Sequence, residues 1–173
     1  MKKPSSKEYV PYFKKYIDLV EDGNFFELFE ENTNQIFQFF STIPESKHNY
    51  KYGPDKWTIK QVLMHINDTE RVFAYRALIG GRQDEKTKYN YMDENWYADH
   101  INVDHMDMAK LVEEFSAIRL SSKFLFESLN EVQSSFIAHG TEAWFSPQAI
   151  GYAMIGHAVH HKNVIEDRYL YSK

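Results

Sequence analysis

The sequence predicts an all-α fold, a four-helix bundle with one long crossover and a short N-terminal helix, and three observations carry that prediction. Apolar residues recur at three- and four-residue steps along four long segments, the residues between those segments are helix caps and stops, and no alternating strand pattern competes. A chain of 173 residues is expected to form one domain over residues 1–173 and to bury roughly 70% of its unfolded surface. With 43% hydrophobic and 16% aromatic residues but only seven glycines and five prolines, a packed core is expected rather than a disordered chain.

The elements follow in order. Tyr9, Phe13, Tyr16, Ile17 and Val20 keep helical spacing until Gly23 interrupts, predicting a short amphipathic N-terminal helix. The first bundle helix starts near Asn24, carries Phe29, Thr33, Ile36, Phe40 and Ile43, and ends at Pro44, whose nitrogen cannot donate the next backbone bond. Thr58 and Gln61 form a capping box that opens the second helix, with a stripe through Val62, Ile66, Thr69, Val72, Phe73 and Ala77 and a left-handed stop expected at Gly80-Gly81. About 23 residues then separate Gly81 from Val103, against the roughly 2–8 usual between adjacent bundle helices, so this segment should cross over something. The third helix shows Met108, Leu111, Phe115, Ile118, Ser122, Leu125 and Leu129. Ser146-Pro147 gives an N-cap followed by proline at the first helical position, and the fourth helix runs to about Tyr169. That helix is apolar on more than one side, which predicts burial in the bundle, in a subunit interface, or in both.

Composition also excludes functions. The net charge is −5 and the basic residues are scattered, so no electrostatic footprint for nucleic acid is visible. Nowhere does an apolar run approach the roughly 18 residues that span a bilayer, and no apolar h-region follows the first lysines, so a cytoplasmic address is expected. With no cysteine, disulfides, thiolate ligands and a cysteine nucleophile are all ruled out, and any metal must be held by nitrogen or oxygen.

Histidine is the informative residue type. Of the eight, His157 and His161 stand four apart, about 40° from each other around a helix axis, on a face shared with Ile150, Met154 and Val164. His65 lies on the core side of the second helix beside Val62, Thr69 and Val72. Three unsatisfied inward imidazoles would cost on the order of 1–3 kcal/mol each, and a shared metal ion would satisfy them together. The alternative is three separately hydrogen-bonded histidines in a metal-free bundle. His48, His100, His105 and His139 fall in expected loops or ends and read as solvated. Two familiar metal motifs are missing: Ala158 stands where a zincin helix carries glutamate, and the only Glu-x-x-His spacing, Glu45 to His48, follows a proline in a loop.

Taken together, Lys56-Trp-Thr-Ile-Lys-Gln-Val-Leu-Met-His65, Asp68-Thr-Glu-Arg-Val-Phe-Ala-Tyr-Arg76, Met92-Asp-Glu-Asn95 and Gly156-His-Ala-Val-His-His161 resemble the DinB superfamily, and within it the YfiT-like branch of metal-dependent hydrolases. Order and spacing agree over about residues 9–170. The resemblance implies that His65, His157 and His161 bind one nickel or zinc ion, leaving a coordination position open for water or a thiolate, and that the protein is a homodimer. Met92 stands where the family usually has phenylalanine, a change at the expected pocket mouth. Relatives include thiol S-transferases and a thiol-dependent isomerase, so the implied reaction is hydrolysis or thiol transfer on a small electrophilic molecule, possible thiols being of low molecular weight. A non-catalytic metal- or ligand-binding stress-response bundle is the alternative. Asp68, Asp93 and Glu94 are candidates to orient a ligand imidazole or act as a base, against a reading as ordinary surface charges or ion pairs. Glu70, Arg71 and Arg76 read as a buried structural network at the bundle end, and Trp57 as a packing anchor.

Overall fold

The computed structural model describes residues 1–170. A 3₁₀ turn at Pro11–Phe13 leads into α1 (Lys14–Ile17), followed by α2 (Phe25–Ser41), α3 (Ile59–Gly81), α4 (Glu94–His100), α5 (Met108–Glu127), α6 (Glu131–Ser135), a hairpin of β1 (Ala138–His139) and β2 (Trp144–Phe145), and α7 (Pro147–Ile165), which closes in a π turn at Glu166–Leu170. The bundle is made of α2, α3, α5 and α7.

Side-chain contacts set the helix directions. Asn67 near the start of α3 donates to Leu111 O near the start of α5, and Gly81 at the end of α3 faces Leu129 just past α5, so these neighbours run parallel. Gly80 faces Pro147 while His65 meets His157, so α3 and α7 run antiparallel. Phe25 and Phe29 pack on Phe126, which makes α2 antiparallel to α5. Phe25 also packs on Tyr152 and Lys162 caps the Phe39 ring, so α2 and α7 are parallel. Both α2 and α3 pack against α5 and α7 and so stand across the bundle from each other. Parallel neighbours cannot be joined by a tight turn, so between α3 and α5 the chain must travel back along the bundle. Residues 82–107 do this, and the expected crossover is present with α4 inside it.

The caps hold where side-chain chemistry is local: Thr58 and Gln61 form the reciprocal box, and Ser146 accepts from Ala149 N. The expected stop at Gly80-Gly81 is corrected. Both glycines lie inside α3, and the left-handed residue is Gln83, with φ 54°. Their role is close approach: a Cβ would sit 2.9 Å from the Pro147 ring at Gly80 and 2.6 Å from Leu129 Cδ2 at Gly81. The absence of strands is also corrected, because β1 and β2 pair antiparallel and Tyr9 bridges to Phe145. Two-residue strands leave no alternation to read. The N-terminal helix is shorter than expected for the same reason, since Tyr9 joins the hairpin rather than a helix.

The apolar interior falls into two clusters, and each bundle helix passes from one to the other at buried polar residues. On α2 the change comes at Asn32, on α3 between His65 and Glu70, on α5 at Arg119 and Ser122, and on α7 at His157. A polar layer therefore crosses the middle of the bundle, with Arg119 Nε 2.6 Å from Glu70 Oε2 and Arg119 Nη2 donating to Met154 O. The inward face of α5 is centred on Leu111, Val112, Phe115, Arg119, Ser122 and Phe126, turned from the expected stripe, so that Ile118, Leu125 and Leu129 are only half-buried. Much of the apolar circumference of α7 is covered by this same chain, because α1 packs on it in addition to α2 and α3.

Candidate metal centre

The polar layer opens on one side into the candidate site. The capping box starts α3 two turns before His65, and the Ser146 cap starts α7 three turns before His157, so the antiparallel pair brings both to the same level. His65 and His157 are 4% and 5% exposed, and His161 is half-buried. His157 Nε2 lies 3.1 Å from His65 Nε2 and 3.1 Å from His161 Nε2. One ring nitrogen from each histidine lies within 4.8 Å of the others.

This arrangement fits a cation better than it fits hydrogen bonding among the rings. An imidazole nitrogen carries either a proton or a lone pair, so at most one proton on His157 could be shared between its two neighbours, and three lone pairs facing one another would repel. Two nitrogens each about 2.0–2.1 Å from a common zinc ion, at tetrahedral or right angles, lie roughly 2.8–3.4 Å apart, which brackets the 3.1 Å spacings from His157 to His65 and to His161, while the widest separation, within 4.8 Å, must close when an ion is bound. Thr69 Oγ1 lies 3.5 Å from His65 Nδ1, at the long limit for an acceptor orienting the ring.

Packing also keeps the imidazoles neutral. Burial, with a smaller contribution from His160, lowers the His65 pKa to about 4. Burial first and the neighbouring imidazoles second hold His157 and His161 well below the ordinary histidine value. Neutral rings are the form that binds metal.

Aromatic groups fix the rings in place. Trp57 packs on His65 with centroids 4.8 Å apart, and Tyr16 and Phe73 pack edge-on to His157. Tyr16 reaches there because α1 crosses α7 at Gly156, where a Cβ would lie 1.9 Å from Tyr16 O.

The histidines stand between two recesses. A cavity of about 430 Å³ is walled by Tyr16, His65, Phe73, Arg76, Tyr89, Glu94 and His157 among others, and a groove of about 320 Å³ on the other side is lined by Trp57, His160, His161 and Tyr169 among others. Of the three carboxylates singled out in the sequence, only Glu94 lines the cavity. Asp93 caps α4 by accepting from Asn95 N and Trp96 N, and Asp68 pairs with Arg71 on the α5 side of α3. The expected network of Glu70, Arg71 and Arg76 is corrected: Glu70 pairs with Arg119, Arg71 pairs at the surface with Asp68 and Glu114, and Arg76 lines the cavity. Trp57 anchors His65 and also lines the groove. Arg119 and Tyr16 were not legible as site-supporting residues. For Arg119 the signal was the alternative α5 frame through Val112 and Phe126; for Tyr16 no local signal exists, because its position depends on the crossing at Gly156.

The profile of the DinB superfamily matches residues 28–165, spanning all four bundle helices and all three histidines. The chain belongs to the DinB superfamily. Among solved structures it is similar to YfiT from Bacillus subtilis, described as a probable metal-dependent hydrolase with an unusual four-helix bundle topology. The two are 16% identical, with a TM-score of 0.72 over 83% of this chain and 82% of that one. At that identity the likeness is one of fold. No curated protein matches the chain. No helix among the described residues is long and apolar enough to cross a membrane.

Proposed function

We propose that this DinB protein is a metal-dependent enzyme acting on a small electrophilic molecule, with His65, His157 and His161 as the ligands of one zinc or nickel ion. The observation that carries this reading is the convergence of three neutral imidazole Nε2 atoms, two of them on buried rings and the third on the half-buried His161, beside an open cavity. Three neutral nitrogens suit either metal and leave coordination positions free, which is the catalytic rather than the structural pattern. When bound, such an ion supplies Lewis-acid activation of water or of a low-molecular-weight thiol near neutral pH.

The chain's own groups do the rest. Trp57, Phe73 and Tyr16 hold the imidazoles and limit water around them. In this reading Glu94, half-buried at the cavity wall where Glu142 is exposed, takes a proton from a nucleophile, and Tyr16, whose phenol burial pushes well up, stays protonated as a donor. Hydrolysis is the reaction that the description of YfiT favours, and transfer of a thiol is its counterpart within the resemblance. A homodimer belongs to the same proposal, and light scattering checks it.

Elemental analysis of purified protein tests the ligand set. We expect about one equivalent of zinc or nickel, lost in His65→Ala, His157→Ala and His161→Ala; unchanged metal content in any of the three removes that residue from the set. Panels of esters and amides, and separately of electrophiles with thiols, then assign the reaction. No turnover by fully metallated protein in either panel would favour a non-catalytic binding module.

A further inference from the structure

Among the described residues Arg76 is the one lysine or arginine that lines the cavity, and it is only 6% exposed. Its Nη2 donates to Asn90 O at 3.0 Å, whereas its Nε is buried with no hydrogen-bond partner. The guanidinium lies 5.1 Å from the Tyr89 ring centroid and 6.0 Å from that of Phe73, and Tyr89 is itself fixed by donating to Ala138 O and Ala143 O. The phenols of Tyr89 and Tyr91 beside it are uncharged near neutral pH, and no carboxylate pairs with Arg76 among the described residues.

A buried cation without an anion is costly, and this one stands in contrast with Arg119, whose charge Glu70 meets. The partner that Arg76 lacks inside the protein can come from the cavity it lines. We infer that Arg76 is the anchor for an anionic group of the substrate, and that the substrate is a monocarboxylate with an apolar body. This rests on the reading of the cavity as the substrate site.

Three features select that class. The guanidinium fork matches a carboxylate bidentately. The walls beside it are the rings of Phe73 and Tyr89 together with Val72, which suit an apolar body. Glu94 and Glu142 also line the cavity, so its charge balance disfavours a dianion such as a phosphate monoester. Position supplies a length: the guanidinium lies 6.0 Å from the Phe73 ring, and that ring lies 6.1 Å from the His157 ring, so the guanidinium and the histidines face one substrate across no more than about 12 Å, the span of a small molecule. The carboxylate is thus held at the far end from the reacting bond, so Arg76 selects and orients the substrate rather than taking part in bond making.

Calorimetry on the full chain, metal-loaded and metal-stripped, tests this with 4-phenylbutyrate, its neutral partner 4-phenylbutanol, and inorganic phosphate. We expect the carboxylate to bind about tenfold or more tighter than the alcohol, with phosphate weakest, and the preference to persist in stripped protein. In Arg76→Gln the preference should collapse to about twofold or less, with metal content unchanged and the thermal midpoint equal or higher, since an unpaired buried charge has been removed; Arg76→Lys should keep part of it. Equal binding of carboxylate and alcohol, no carboxylate binding, or an undiminished preference in Arg76→Gln would overturn the assignment, and tightest binding of phosphate would overturn the monocarboxylate class. A preference seen only with metal present and surviving Arg76→Gln means that the ion holds the carboxylate, which sinks the Arg76 subsite alone. A preference lost in Arg76→Gln in a protein that never takes up metal sinks the metal reading alone.

Discussion

Glu70 and Arg119 meet in the middle of the bundle with side chains 3% and 1% exposed. The pair joins α3 to α5, and the Arg119 bond to Met154 O extends the link to α7 one turn before His157. Removing one partner strands the other charge in the interior. Glu70→Gln is expected to lower the unfolding free energy by roughly 3–5 kcal/mol in urea titrations, while the double replacement Glu70→Leu with Arg119→Met should recover most of that loss. A single variant as stable as the parent would show that the pair is not fully desolvated in solution.

Gly156 sets how closely α1 approaches α7. A methyl group there overlaps the Tyr16 backbone, so Gly156→Ala should cost on the order of 1–3 kcal/mol through overpacking and should alter the near-UV signal of the aromatic cluster. Gly53→Ala is the control, because an added Cβ there meets nothing closer than Lys56 Cγ at 3.4 Å. Equal stability of the two variants would remove the tight crossing from the account.

An ion linking α3 to α7 should stabilise the fold. With free metal at about 100 times Kd, mass action adds about 2.7 kcal/mol, which for a chain of this size raises the thermal midpoint by roughly 5–10 °C. Scans of stripped protein with and without added zinc or nickel measure it, and superimposable melts would leave three structural histidines.

Acid should weaken the metal-free protein in a defined window. The folded-state pKa of His65 is depressed to about 4, and those of His157 and His161 are depressed as well. The unfolded chain therefore takes up protons first, from about pH 6.5 downward. Stability is full above that value and is lost as pH falls through the window toward 4. His65→Gln should flatten that slope in denaturant titrations at stepped pH, and a slope unchanged by it would place the acid sensitivity elsewhere.

The legible part of this protein is what short stretches of chain settle by themselves. Thr58 with Gln61 and Ser146 with Pro147 start their helices through bonds made within one turn, and the His157–His161 spacing puts two rings on one face whatever surrounds them. Gly80-Gly81 shows where that logic stops, because composition alone cannot separate a left-handed stop from a helix that needs room for Pro147 and Leu129. Arg76 shows it again: its position on the His65 face could be read, but whether a carboxylate would meet it could not.

Four long helices, the N-caps at Thr58 and Ser146, the long crossover and the three inward histidines could all be read from the chain alone, since each depends on periodicity or on neighbours a few residues away. The packing of the helices settles that α3 and α5 run parallel, that Glu70 pairs with Arg119 while Arg76 lines the cavity with no carboxylate partner among the described residues, and that Glu94 rather than Asp68 or Asp93 reaches that cavity. Those outcomes depend on which faces meet across the bundle, where a rotation of one residue about a helix axis, about 100°, exchanges an inward side chain for an outward one.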